Sequence, residues 1–221
     1  LCGLLFGNRI EERYQNILMS AAGICVVFLG ISGAVKEILF IDNGKLASGG
    51  TVMMILSLSA GALIGEWMNI EFRMEQFGGW LKKKTKSEGE SGFVDAFVNS
   101  SLTVCIGAMA VVGSIQDGIT GDYTILATKA ILDMIIILVM TASLGKGCVF
   151  SAVPVAIFQG TVTLLAGFME PVMTAQALSN LSLTGSVMIF CVGVNLVWGK
   201  MIKVADFLPA LVIAVILAFL M

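Results

Sequence analysis

Apolar residues run through this chain in long blocks, each closed by a short cluster of glycine, asparagine or charge. The blocks have the length of membrane crossings rather than the narrow stripe of a surface helix, because about 20 apolar residues in a helix cross a hydrocarbon layer roughly 30 Å thick. Complete spans are predicted near 17–36, 49–70, 94–116, 124–144, 149–168, 181–198 and 204–221. Residues 1–7 read as the tail of an earlier span, truncated at its start, which brings the total to about eight. Asn43-Gly44 and Gly49-Gly50 precede the third span, Gly118 and Gly121 separate the fourth and fifth, and Gly145-Lys146-Gly147 precedes the sixth. Asp206 and Pro209 suit the start of the last. The expected fold class is an all-α polytopic membrane protein, a single transmembrane domain over 1–221.

One stretch breaks this pattern. Ile70, Met74, Phe77 and Leu81 recur at helical spacing beside Trp80, and Lys82, Lys83, Lys84 and Lys86 follow. Residues 70–92 are therefore expected to be a cytoplasmic segment between spans 3 and 4: an amphipathic helix on the inner leaflet, then a flexible linker over 87–92.

Composition agrees with the pattern, since 57% of the 221 residues are hydrophobic and 13% charged. A water-soluble surface cannot be made from that. Cytoplasmic loops carry the excess of Lys and Arg, and the predicted loops divide ten to two: Arg9, Arg13, Arg73, the four lysines of 82–86, Lys146, Lys200 and Lys203 against Lys36 and Lys45. This puts 73–92 in the cytoplasm and the C-terminus outside. The outer loops then hold Glu37, Asp42, Asp117, Asp122 and Glu170, an acidic vestibule that favours a cation. A net charge of -2 argues against nucleic acid as a partner.

Histidine is absent, which removes imidazole-based catalysis and the usual zinc sites. The five cysteines are scattered in or beside apolar stretches, where they act as small hydrophobes, and predict no disulfide framework, metal site or cofactor. No enzymatic activity is expected.

The polar residues inside the spans are the candidate chemistry. In the fourth span Asn99, Thr103, Gly107, Ala110, Ser114 and Asp117 share one face. Lipid tails do not solvate amides or hydroxyls, so this stripe faces either a tight helix seam or a water-filled pathway. Gln116 and Asp117 lie in a Gly-Ser-Ile-Gln-Asp-Gly run where the helix can unwind and offer carbonyls. The fifth span carries Lys129 and Asp133 four residues apart, about 7 and 13 Å below its outer end. A charge at that depth costs roughly 2.5 to 3.5 kcal/mol and marks function by default. Asp133 is the expected cation or proton ligand, with Lys129 as counter-ion. Gln159 in the sixth span and Asn195 in the seventh are candidates to line the same cavity. Ser57, Gly61 and Gly65 form a small-residue ridge suited to helix packing or to a homo-oligomer seam.

The two ends of the chain also resemble each other: 4–7 with 22–28 matches 164–167 with 184–190. Spans 1–3 and 6–8 are thus expected to be an inverted repeat, as in many transporters.

Three stretches, Gly3 to Ile10, Gly61 to Trp67 and Gly107 to Tyr123, resemble a known family, as do Phe158-Gln-Gly160, Leu164 to Gly167 and Leu208-Pro-Ala210. The family is the bacterial inner-membrane domain of unknown function family 554, of the YdfK and YqgA type. The resemblance covers nearly the whole chain and implies a multi-pass protein of the bacterial cytoplasmic membrane, sometimes described as a transporter. Its members usually begin about a dozen residues earlier, in keeping with a shortened first span. The expected function is a small-solute or cation permease with a polar midplane site. The rival from another class is a non-transporting scaffold or sensor that uses its helix seams and inner-leaflet basic helix.

Overall fold

A computed structural model describes residues 12–42, 44–85, 92–105 and 108–220. Helix α1 (Glu12–Ile38) leads into an antiparallel hairpin, β1 (Leu39–Asp42) and β2 (Lys45–Ser48), and then α2 (Thr51–Met68). A corner at Asn69 starts α3 (Ile70–Lys84), followed by α4 (Phe93–Cys105), α5 (Ala108–Thr120) and α6 (Thr124–Leu144). A 3-10 turn, Lys146–Ser151, feeds α7 (Ala152–Leu164) and the short α8 (Ala166–Met169). Then come α9 (Ala175–Trp198), a 3-10 turn at Val204–Phe207, and α10 (Leu208–Leu217).

Two antiparallel seams hold the helices together, and both depend on missing side chains. Along α1 and α9, Gly23 meets Val197, Gly30 meets Phe190 and Gly33 meets Ser186. A methyl group added at Gly30 would stand 2.5 Å from the Phe190 nitrogen, and one at Gly193 2.6 Å from that of Val27. Small residues let helix backbones approach this closely and gain dispersion contact that bulkier ones would prevent. At the end of this seam the Ser179 hydroxyl donates to Glu37 at 2.7 Å. Along α2 and α10 with its leading 3-10 turn, Gly61 lies on Ala210 and Gly65 on the Asp206 backbone, while the Ser57 hydroxyl lies 3.4 Å from that of Thr184 on α9. The ridge Ser57, Gly61, Gly65 is therefore spent on packing inside one chain. Phe93, Phe97, Met140, Met188 and Val192 form the largest core, where α4, α6 and α9 meet.

The expected set of about eight membrane-spanning helices is not what the chain forms. Among the described residues four helical segments are long and apolar enough to cross a membrane: Thr51–Met68, Thr124–Leu144, Lys146–Leu164 and Ala175–Trp198. The span read over 94–116 is two helices of 13 residues each, on either side of 106–107. Within the first of them Ser100 donates to the Ala96 carbonyl at 2.6 Å and Thr103 to that of Asn99 at 2.8 Å, back-bonds that compete with the helical ladder. The span read over 204–221 spends its first turn in 3-10 geometry, leaving 10 residues in α10. Residues 1–7 lie outside the described residues.

A further correction follows. The fold is not all-α, because β1 and β2 pair in the register Leu39↔Ser48 to Asp42↔Lys45. Asn43-Gly44 between two apolar runs is a strong hairpin signal, and Gly44 takes the φ of 76° that such a turn needs.

Candidate functional site

The Lys129 and Asp133 pair lies on α6 as neighbours one turn apart. Lys129 is 7% exposed, and its ammonium donates to the Val104 carbonyl at 2.7 Å and to Asp133 Oδ2. The Val104 main chain of α4 thus supplies a neutral acceptor of the kind a buried ammonium on a neighbouring helix requires. The Asp133 side chain is 23% exposed, and Oδ1 makes no hydrogen bond to a described residue.

Both side chains line a cleft of about 510 Å³ between α6 and the Lys146–Leu164 segment. Gln159 lines it from α7, and Ile137, Leu138, Val149 and Val155 supply its apolar walls. Apolar surroundings strengthen the field of the few polar groups inside, so the free carboxylate oxygen is the strongest acceptor the cleft offers.

The other predicted site residues go elsewhere. The Asn99 carbonyl and Thr103 hydroxyl are joined to each other, and neither residue lines the cleft. Gln116 Nε2 donates to Asp122 Oδ2 at 2.9 Å, in the corner between α5 and α6. There Asp122 Oδ1 also accepts from the Thr124 hydroxyl at 2.5 Å and its amide at 3.0 Å, and these bonds hold the Asp122 carboxyl below the usual carboxylate range. Asp117 contributes its main-chain carbonyl, which accepts from Gly121 at 2.9 Å. Asn195 shapes the loop after α9: its Oδ1 accepts from Met201 at 3.0 Å and Ile202 at 2.9 Å, and its Nδ2 donates to the Ile202 carbonyl at 2.7 Å. Of the eight candidates, three share the cleft: Lys129, Asp133 and Gln159.

Sequence reasoning missed a second buried charge cluster. Glu71 and Asp206 are 6% and 5% exposed and cap each other's helices. Asp206 Oδ1 accepts from the Glu71 amide at 2.9 Å, in the first turn of α3, and Glu71 Oε2 accepts from the Ala205 amide at 2.9 Å, in the 3-10 turn. Lys200 reaches Glu71 at 3.1 Å and also pairs with Glu75, while Lys203 pairs with Glu66 at 2.9 Å. Burial pulls the Lys200 pKa down, but its bonds to Glu75 and Glu71 outweigh this and raise it above the ordinary lysine value. The available signal was that each acid falls within a residue or two of a helix start, where carboxylates cap amides.

A family model described as Protein of unknown function (DUF554) matches residues 1–219. The chain belongs to this family. It is 29% identical over 219 residues to "Uncharacterized membrane protein YdfK" of Bacillus subtilis (strain 168), covering 99% of this chain and 90% of that protein. It is 26% identical over 216 residues to "Uncharacterized protein YqgA" of Escherichia coli (strain K12), covering 96% and 87%. No solved structure matches. With four candidate spans among its described residues, this member of the family is a membrane protein whose charged and polar residues form internal ion pairs and hydrogen bonds.

Proposed function

We propose that the protein is a permease of the bacterial cytoplasmic membrane for a small cation or cation-bearing solute, with the Lys129–Asp133 cleft as its binding site. The observation that carries this reading is a buried ammonium held by one carboxylate oxygen and one main-chain carbonyl beside a cleft of about 510 Å³, with the second carboxylate oxygen unbonded to any described residue. Lys129 acts as a tethered stand-in for the transported cation. While the site is empty it neutralises Asp133, and an arriving cation takes Asp133 Oδ1, with the Gln159 amide oxygen as a neutral ligand. Differential binding of this kind is what lets a ligand shift a protein between two states. The use of Ser57, Gly61 and Gly65 inside one chain favours a permease over a scaffold assembled through that ridge.

The test is reconstitution into liposomes with a panel of monovalent and divalent cations, reading flux and cation-dependent thermal stabilisation. Asp133→Asn should remove both responses, and adding Lys129→Met should restore the unfolding midpoint but neither response. A double mutant that responds to cations like the wild type would sink the proposal. The orientation proposed with it puts 73–92 in the cytoplasm and Gly118 to Thr124 outside. In a cysteine-free background, an impermeant thiol reagent applied to intact cells should label a cysteine at Thr120 and spare one at Ser87. The opposite pattern would invert the orientation.

A further inference from the structure

A second cleft, of about 390 Å³, lies between α3, α4, α7 and α10, across α4 and α7 from the first. Met74 and Phe77 of α3, Leu102 of α4, Phe158 of α7 and Leu208 and Leu211 of α10 give it almost wholly apolar walls. Two polar groups interrupt them. Arg73 stands on its lining, is exposed, and makes no ion pair among the described residues. Ser101, 1% exposed, also lines the cleft, and its hydroxyl has no hydrogen-bond partner among the described residues. A buried hydroxyl without a partner costs about 1 to 3 kcal/mol, so it marks a place where something else completes the surface.

We propose that this cleft binds one acidic phospholipid, with an acyl chain against Phe77, Leu102 and Phe158, a chain ester oxygen accepting from Ser101, and the phosphate on Arg73. The walls exclude a small hydrophilic solute, and the unpaired guanidinium selects an anionic head, since arginine pairs phosphate through parallel hydrogen bonds. The outer face of α3 marks where the bilayer surface lies: Phe77 and Trp80 stack at 5.7 Å between centroids, Lys84 sits 4.9 Å over the Trp80 ring, and Lys82 and Lys83 adjoin it. Aromatic rings with neighbouring lysines are the side chains that settle at an anionic headgroup layer. Arg73 stands about one turn toward the start of the helix from Phe77, within reach of the same layer. The inference does not depend on the permease reading, because it concerns a different cleft and requires only that the protein reside in a bilayer.

The experiment is native mass spectrometry of the full chain, purified in a neutral detergent, delipidated and titrated with phosphatidylglycerol, phosphatidylcholine of the same chains, or oleate. A cation at a headgroup is worth roughly a five-fold preference. Wild type should retain phosphatidylglycerol about five-fold over phosphatidylcholine, Arg73→Gln should bring the two to parity, and Arg73→Lys should keep part of the preference. Ser101→Leu should lower retention of both lipids strongly, and Ser101→Ala should lower both by about five-fold, the loss of one hydrogen bond of about 1 kcal/mol. A preference that survives Arg73→Gln would put the headgroup on the lysine run and overturn the proposal. So would retention unchanged by Ser101→Leu in a folded protein, or oleate binding as well as phosphatidylglycerol. If Ser101→Leu fails to fold, the exposed Arg73 pair of variants decides alone.

Discussion

The protein buries charge in two places and treats it in opposite ways. Around Glu71 and Asp206 the carboxylates receive two backbone amides and Lys200, so both acids are tied into helix starts. Around Lys129 and Asp133 the ammonium is satisfied, but one carboxylate oxygen has no described partner and the pair lines an open cleft. A carboxylate bonded to the backbone of a helix start fixes geometry, whereas one bonded only to a side chain beside a cavity retains the capacity to exchange partners. The first cluster is thereby read as a clamp and the second as a site.

The largest effect expected from breaking this contrast is at the clamp. Glu71→Ala leaves the Ala205 amide uncapped and Lys200 with Glu75 alone, and should lower stability by about 2 to 4 kcal/mol, the partly exposed Lys200 moderating the loss. Chemical denaturation of the detergent-solubilised protein measures it, and a cost below about 0.5 kcal/mol, the ordinary surface value, would remove the clamp from the account. Asp133→Asn should cost less, about 1 to 2 kcal/mol, because Lys129 keeps the Val104 carbonyl and the acid was partly exposed to begin with. If it proved the costlier of the two, the roles assigned to the clusters would have to be exchanged. The smallest effect concerns Asp122, whose folded pKa is depressed by its bonds to Thr124. A depressed carboxylate contributes above its unfolded pKa and loses that contribution as pH falls through the folded one. The Gln116–Asp122–Thr124 corner should therefore loosen below the ordinary carboxylate range, as faster hydrogen exchange at the Thr124 amide relative to a helix interior. Protection unchanged in Asp122→Ala at neutral pH would show that the corner is held by something else.

Local pattern was legible wherever a segment answers only to its own neighbours. The span predicted at 124–144 is α6, Thr124–Leu144, and the helical spacing of Ile70, Met74, Phe77 and Leu81 corresponds to α3. α9 starts at Ala175 rather than near 181 because Thr174 caps it, its hydroxyl accepting from Ala177 at 3.1 Å, a signal that lay outside the apolar block. The stripe from Asn99 to Asp117 was harder to read, since the same hydroxyl and glycine residues fit a seam or a pathway. Least legible were relations across the chain. Asn195 looks like a cavity residue until the loop that it holds is seen, and Glu71 looks like one more polar residue of an amphipathic face until Asp206 arrives from the other end.

That reciprocal cap also sets an order of assembly. Its two acids are 135 residues apart, and Asn69, between α2 and α3, sits at a left-handed φ of 51°, a corner that a residue with a side chain adopts only when its surroundings hold it there. During synthesis from the N-terminus the corner must wait without Asp206 while α4 to α9 are made. The turn at Val204–Phe207 therefore acts as the latch of a corner made much earlier, and a nascent chain stopped before Val204 should expose the α2–α3 junction to proteases that the folded protein resists.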